Sequence, residues 1–209
     1  MNKKAKLISV DDDFDNSIKK AVELYNNGEV FIYPTDTIYG FGCNPFNDKA
    51  VEKINKIKKR QGSKQFILLL DSLNTLFDYV IKPKRDYEEL LRNIWPNPVS
   101  IILELNNDKK ETLKSETVAF RIPDHKFCMS LLKEIKLPLV STSVNVNNEL
   151  PLDNHLTIFE KFSEDVSVIF YANNEGNKEP STLVDLSGEK PVILRKGSTK
   201  FAGLIQKYI

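Results

Sequence analysis

A short apolar run, Val30-Phe31-Ile32-Tyr33, stops at Pro34 and opens into Thr35-Asp36-Thr37-Ile38-Tyr39-Gly40-Phe41-Gly42. This order constrains the fold more than any other stretch. β-Branched and aromatic residues suit a buried strand, and proline cannot continue the hydrogen-bond ladder. The hydroxyls, carboxylate and glycines beyond it are then delivered to a sheet edge, where α/β folds bind their ligands. The stretch predicts a site for a small polar molecule.

The flanking sequence continues an α/β alternation. Phe14, Ile18, Ala21, Val22 and Tyr25 recur at helical spacing, and Asn26-Asn27-Gly28 supplies the stop. Ala50, Val51, Ile54 and Ile57 mark a second helix, and Phe66 to Leu70 reads as a buried strand. Further helices are expected at Tyr87 to Ile94 and Phe127 to Ile135. Strands are expected at Val99 to Leu105, Thr117 to Ile122, Leu137 to Val140, Val166 to Tyr171, Thr182 to Leu186 and Val192 to Arg195. Asn106 to Ser115 reads as a polar connection, and Ala172 to Pro180 as a loop that looks mobile. Phe201, Leu204, Ile205, Tyr208 and Ile209 follow a helical stripe, so the tail reads as a docked helix, packing on the core or on a second copy.

At 209 residues the chain is expected to form one domain spanning 1–209. Its 30 basic and 29 acidic residues leave a net charge of +1, which argues against a nucleic-acid coat over the whole surface. Any positive site is therefore local. Cys43 and Cys128 have no paired spacing and the histidines are only His125 and His155, so neither a disulfide framework nor a metal-ligand set is legible. The longest aliphatic or aromatic run, Phe66 to Leu70, is far below the ~20 residues of a membrane helix. A soluble cytoplasmic protein is expected.

Two constellations could carry chemistry. Lys49, Lys53, Lys56, Lys58, Lys59, Arg60 and Lys64 face only one acid, Glu52, between them. At about 100° per residue, Lys49, Lys53, Lys56 and Arg60 share a polar face opposite Ala50, Ile54 and Ile57. Lys58 projects onto the apolar arc. Either the helix ends before it or its side chain reaches across the protein to an anion. The second constellation is Ser141-Thr142-Ser143-Val144-Asn145, either a simple turn or a set of ligand contacts at a strand's carboxyl end. Arg121 ends a strand and suits a bidentate grip on a carboxylate, with a surface ion pair as the plain alternative. Pro180-Ser181-Thr182 and Leu194-Arg195-Lys196-Gly197 are weaker signals.

Assembled in order, YPTDTIYGFGC (33 to 43), the Lys-x-Arg at Lys58 and Arg60 with Lys64 beyond, WPNPVS (95 to 100), RIPDH (121 to 125), STSVN (141 to 145), PSTLVD (180 to 185) and ILRKG (193 to 197) resemble the YrdC family, which includes TsaC-like threonylcarbamoyl-AMP synthases. The resemblance implies a single α/β domain whose twisted, mixed sheet and helices surround a positively charged concave cavity. It implies a nucleotidyltransferase that joins L-threonine, bicarbonate and ATP into threonylcarbamoyl-AMP and pyrophosphate, for modification of tRNA position 37. Carried over by position, Thr35, Arg121, Ser141 and Ser181 would hold threonine. Lys58, Arg60, Lys64, Thr117, Ser143, Asn145 and Arg195 would hold ATP, with Lys58 and Arg60 catalytic. Mg2+ is expected with the triphosphate, bound through water rather than by a protein cage. Later tRNA threonylcarbamoyl-transfer proteins are the implied partners. The chemistry needs no protein nucleophile, in keeping with the lack of a Ser-His-Asp or Cys-His set. Gln65, Asn97, Val144 and Asn147-Asn148 depart from the family's commonest residues, which bears on loop shape and pocket volume. The alternatives are an RNA-binding module of the same fold with a basic cavity, or a paralogue with another nucleotide-dependent activity.

Overall fold

A computed structural model describes residues 4–60, 66–81, 87–173 and 179–197. In chain order these form β1 (Lys6–Ser9), α1 (Phe14–Asn26), β2 (Phe31–Tyr33), β3 (Gly40–Gly42), α2 (Asp48–Ile57), β4 (Ile67–Leu69), α3 (Leu73–Phe77), α4 (Glu88–Ile94) and β5 (Val99–Glu104). There follow α5 (Asn107–Leu113), β6 (Thr117–Arg121), α6 (Lys126–Ile135), β7 (Leu139–Ser143), α7 (His155–Phe162), β8 (Val168–Tyr171), β9 (Thr182–Asp185) and β10 (Val192–Arg195). The strands join in one twisted sheet, ordered β1-β8-β2-β3-β7-β4-β6-β5-β9-β10. Pairing is mixed, with β4 parallel to β6 and antiparallel to β7. Among the described residues no helix is long and apolar enough to cross a membrane.

Side-chain alternation along the strands divides the core in two. Ile32, Leu68, Val140 and Ile169 enter one cluster with Ala50 and Ile54 of α2, Leu90, Leu91 and Ile94 of α4, and Ile158 of α7. Their neighbours Phe31, Tyr33, Leu69, Leu139, Val168 and Phe170 enter the other, under Ile18, Ala21, Leu24 and Tyr25 of α1 and Phe127, Leu131 and Leu132 of α6. The second helical cover includes no residue of β5, β6, β9 or β10. Where it stops, the sheet face is left open for a site.

Several elements differ from the sequence expectation. Gly40–Gly42 is a strand, β3, antiparallel to β2, so the stretch after Pro34 is the turn of a β2–β3 hairpin. Gly42 is needed for close approach: an added Cβ would lie 2.6 Å from the Tyr33 ring. The hydroxyl run Ser141-Thr142-Ser143 belongs to β7 itself rather than to a turn after it. Asn106 to Ser115 contains α5, capped by the Asn106 side chain, which accepts from the Lys109 amide. The expected C-terminal helix and Lys64 lie outside the described residues, as do residues 174–178 of the expected loop.

Helix α2 ends at Ile57 in a Schellman turn. The Lys59 amide donates to Lys56 O (3.0 Å) and the Arg60 amide to Asn55 O (3.1 Å), with Lys59 held at φ 49°. A side chain in this left-handed region is strained. Lys59→Gly should therefore raise the melting temperature by about 1–4 °C, corresponding to roughly 0.5–1 kcal/mol. A thermal melt showing a fall instead would mean that the turn carries no such strain.

Candidate active site

On the open half of the sheet lies a cavity of about 220 Å³. Its floor is a row of cross-strand partners, Ser141 to Ile67, Ile67 to Ala119 and Ala119 to Ile102, running over β7, β4, β6 and β5. The β2–β3 turn contributes Thr37 to Tyr39, the turn after α2 contributes Arg60, and the β9–β10 side contributes Pro180, Ser181, Leu183 and Arg195. With Arg121 from β6, three guanidiniums line one small space. None of the described lining residues carries a carboxylate. Burial lowers the pKa of Arg60 and, with Arg121 nearby, of Arg195. Such a space favours ligands of negative charge.

Arg121 is 2% exposed and held from the β2–β3 turn. Its Nη2 lies 3.3 Å from Asp36 Oδ1, and its Nη1 donates to Thr37 Oγ1 at 2.9 Å. Thr35 Oγ1 gives its hydrogen to Ile38 O at 2.7 Å, so in the 3.0 Å contact between the two threonine hydroxyls it is Thr37 that donates. Asp36 Oδ2 accepts from the Asp124 amide. The turn thus orients Arg121 while its buried Nε has no hydrogen-bond partner among the described residues. A guanidinium with an edge to spare can grip a planar anion.

Lys58 resolves both possibilities raised by its position. The helix ends before it, and the side chain, 1% exposed, turns inward. It meets neutral oxygens rather than an anion: Nζ donates to Ser143 O, to Asn145 O at 2.9 Å and to Asn145 Oδ1 at 2.8 Å. Burial, with Arg60 nearby, pushes its pKa down to about 7, while the three oxygens act in the opposite sense by accepting its N–H groups. Ser143 Oγ donates to the same Asn145 Oδ1 at 2.6 Å, and Asn145 Nδ2 donates to Val146 O and Glu149 O. The Asn147 amide closes the knot on Lys58 O at 2.8 Å. Two residues on, Arg60 emerges into the cavity, where Nη2 donates to Thr142 Oγ1 at 2.7 Å and the guanidinium carbon sits 4.9 Å from the Phe66 ring centre.

The far wall is tied similarly. Arg195 donates from Nε to Ser181 O and from Nη2 to Ser181 Oγ, both at 3.0 Å, while Ser181 Oγ lies 2.8 Å from Ser100 Oγ. Gly197 lets the chain after β10 press onto this strand, since an added Cβ would lie 2.2 Å from Pro180 O.

Of the residues singled out from sequence, Arg60, Arg121, Ser141, Ser143, Ser181 and Arg195 line the cavity. Lys58 and Asn145 stand behind Ser143, and Thr35 stands behind Thr37. Thr117, at the start of β6, is outside the lining, and Lys64 is outside the described residues. Thr37 and Thr142 were not assigned from sequence, although both lie within the quoted motifs; strand and turn geometry, unreadable there, decides which hydroxyl faces the space. Among the described residues no group of three or more His, Cys, Asp or Glu side chains is placed to hold a metal.

A mixed α/β sheet thus carries an arginine-lined, hydroxyl-bearing cavity on its uncovered face. Residues 23–197 match the Sua5/YciO/YrdC family model, described as telomere recombination, and the chain belongs to that family. It is 34% identical over 182 residues to a threonylcarbamoyl-AMP synthase of Pseudoalteromonas translucida, covering 84% of this chain and 96% of that protein. The structure of E. coli YciO matches with a TM-score of 0.83 at 26% identity, covering 95% of this chain and 98% of YciO. P. abyssi Sua5 complexed with L-threonine matches with a TM-score of 0.84 at 25% identity, covering 93% of this chain. This chain spans only 58% of that Sua5 chain.

The knot has a measurable consequence. Lys58→Met would leave the buried Asn145 carbonyl oxygen without its donor, while Ser143 O keeps the Asn145 amide, so it should cost on the order of 2 kcal/mol in urea unfolding. Lys53→Met, on the exposed face of α2, should change stability by about half a kcal/mol or less. Equal effects would show that the Lys58 contacts contribute little.

Proposed function

We propose that the chain is a threonylcarbamoyl-AMP synthase, a nucleotidyltransferase acting on L-threonine, bicarbonate and MgATP in the cytoplasm. The observation that carries this reading is the convergence of Arg60, Arg121 and Arg195 on one small cavity, where a carboxylate and a polyphosphate would both find partners. The near full-length likeness to a threonylcarbamoyl-AMP synthase supports it, as does the likeness to a Sua5 bound to L-threonine. Arg121 would hold the threonine carboxylate, beside the hydroxyls of Thr37, Ser141 and Ser181. Arg60 and Arg195 would face the phosphates. Lys58, its N–H groups taken by the 143–145 turn, would act by holding Ser143 and Arg60 in place.

The threonine amine and bicarbonate give a carbamate with loss of water. A carbamate oxygen then attacks the α-phosphorus of ATP, the bond to the bridging oxygen breaks, and pyrophosphate leaves. Bond changes occur among the substrates alone, so the protein contributes position and charge neutralisation. The lining hydroxyls and guanidiniums do not suit a resident metal, and magnesium enters as part of the nucleotide substrate. The product would pass to proteins that transfer the threonylcarbamoyl group to tRNA. A net charge of +1 and a recessed cavity favour small substrates over an RNA-binding module.

Pyrophosphate release should require threonine and bicarbonate together, and ATP turnover indifferent to both would overturn the assignment. Serine should be about tenfold or more poorer in kcat/KM, for want of the methyl group. Arg121→Lys keeps the charge and loses the planar fork, so it should raise the threonine KM by roughly tenfold with the ATP KM nearly unchanged. If the ATP KM rises instead, Arg121 belongs to the nucleotide.

A further inference from the structure

A second cavity, of about 260 Å³, lies against the opposite face of the same strands. Leu68, Val118 and Val140 line it, and they alternate with Ile67, Ala119 and Ser141 of the first cavity, so one sheet thickness separates the two. Pro45, Val51 of α2, Phe66 and Leu113 supply the rest of its apolar wall, and Asn55 of α2 also lines it. Asp48 and Lys114 also line it and form an exposed pair at 2.7 Å. Two rim hydroxyls are already engaged, Thr112 donating to Asp108 O and Ser115 to Thr117 O.

Asn55 is different. Its Oδ1 is buried with no hydrogen-bond partner among the described residues, while its backbone oxygen receives the Arg60 amide. A buried acceptor without a donor is costly, and a donor on a bound molecule would remove that cost. A flat, mainly apolar molecule with one donor would satisfy both the oxygen and the seven apolar residues of the lining. Phe66 adds a route to the first cavity, because its ring lines the second one and also lies under the Arg60 guanidinium.

We propose that this cavity is a second small-molecule site, taking a largely apolar ring compound that donates one N–H or O–H to Asn55 Oδ1, with Phe66 passing its occupancy to Arg60. The binding step is independent of the synthase reading. The probes are indole and benzofuran, the same ring system with and without the N–H donor, followed by methyl NMR of the full chain. Indole should give saturable shifts at Val51, Leu68, Val118 and Val140 and bind about fivefold tighter than benzofuran. Asn55→Leu, checked for folding by its melt, should abolish that preference. Shifts absent from these methyls, or equal affinity for the two probes in the unaltered protein, overturn the site. Saturating indole should also change the affinity for inorganic pyrophosphate by about fivefold, and an unchanged affinity overturns the Phe66 route. If pyrophosphate fails to bind even without indole, the proposed function is what fails, and the methyl shifts still decide the second site.

Discussion

An ammonium group taken out of water must find oxygens, and Lys58 finds them in the turn that leaves β7. That requirement draws the end of α2 and the 143–145 segment together. Once they are joined, Ser143 faces the cavity, Asn145 reaches on to Val146 O and Glu149 O, and the Schellman turn sends Arg60 over Phe66. Without the ammonium group, the turn at residues 58–60 and the chain after β7 would lose this link. A hydrophobic side chain at position 58 could fill the space but could not bond the carbonyls.

The site also depends on what the helices leave uncovered. Helices α1 and α6 cover the residues of β2, β8 and neighbouring strands on one face, and the cavity opens over β5, β6 and β9 on that same face. Arg121 lies against Asp36, Arg60 donates to Thr142 and Arg195 donates to Ser181. Burial lowers the pKa of the Arg60 and Arg195 guanidiniums, for Arg195 with Arg121 nearby, because it disfavours the charged form. An anionic substrate would favour the charged form of both, which is the physical basis for assigning phosphates to Arg60 and Arg195.

Strongly apolar strands and amphipathic helices were legible in the sequence because burial on alternating or helical positions leaves a direct trace. The helical projection of Lys58 singled it out as well, leaving open whether the helix ends before it or its side chain reaches across to an anion; the helix does end there and the side chain meets neutral oxygens. Helix α5 left little trace, since none of its residues is buried and its support comes from the Asn106 cap and the pairing of Lys110 with Glu104 and Glu116. Strand β3 was hidden by two glycines, which are poor strand formers and are tolerated here because the Tyr33 ring occupies the space beside them. In the site, residue types were readable but their facing was not. Thr35 turns to Ile38 O while Thr37 meets Arg121, a distinction that depends on the hairpin turn. What Lys58 would meet was unreadable for a similar reason, because carbonyl oxygens have no signature in sequence.

The most direct measurement is a crystal structure of the protein with L-threonine and a non-hydrolysable ATP analogue. Lys58 Nζ should stay on Ser143 O and Asn145, with the threonine carboxylate on Arg121 and the phosphates on Arg60 and Arg195. A Lys58 ammonium that leaves the 143–145 turn to bind phosphate, or a carboxylate seated away from Arg121, would contradict this division of the cavity.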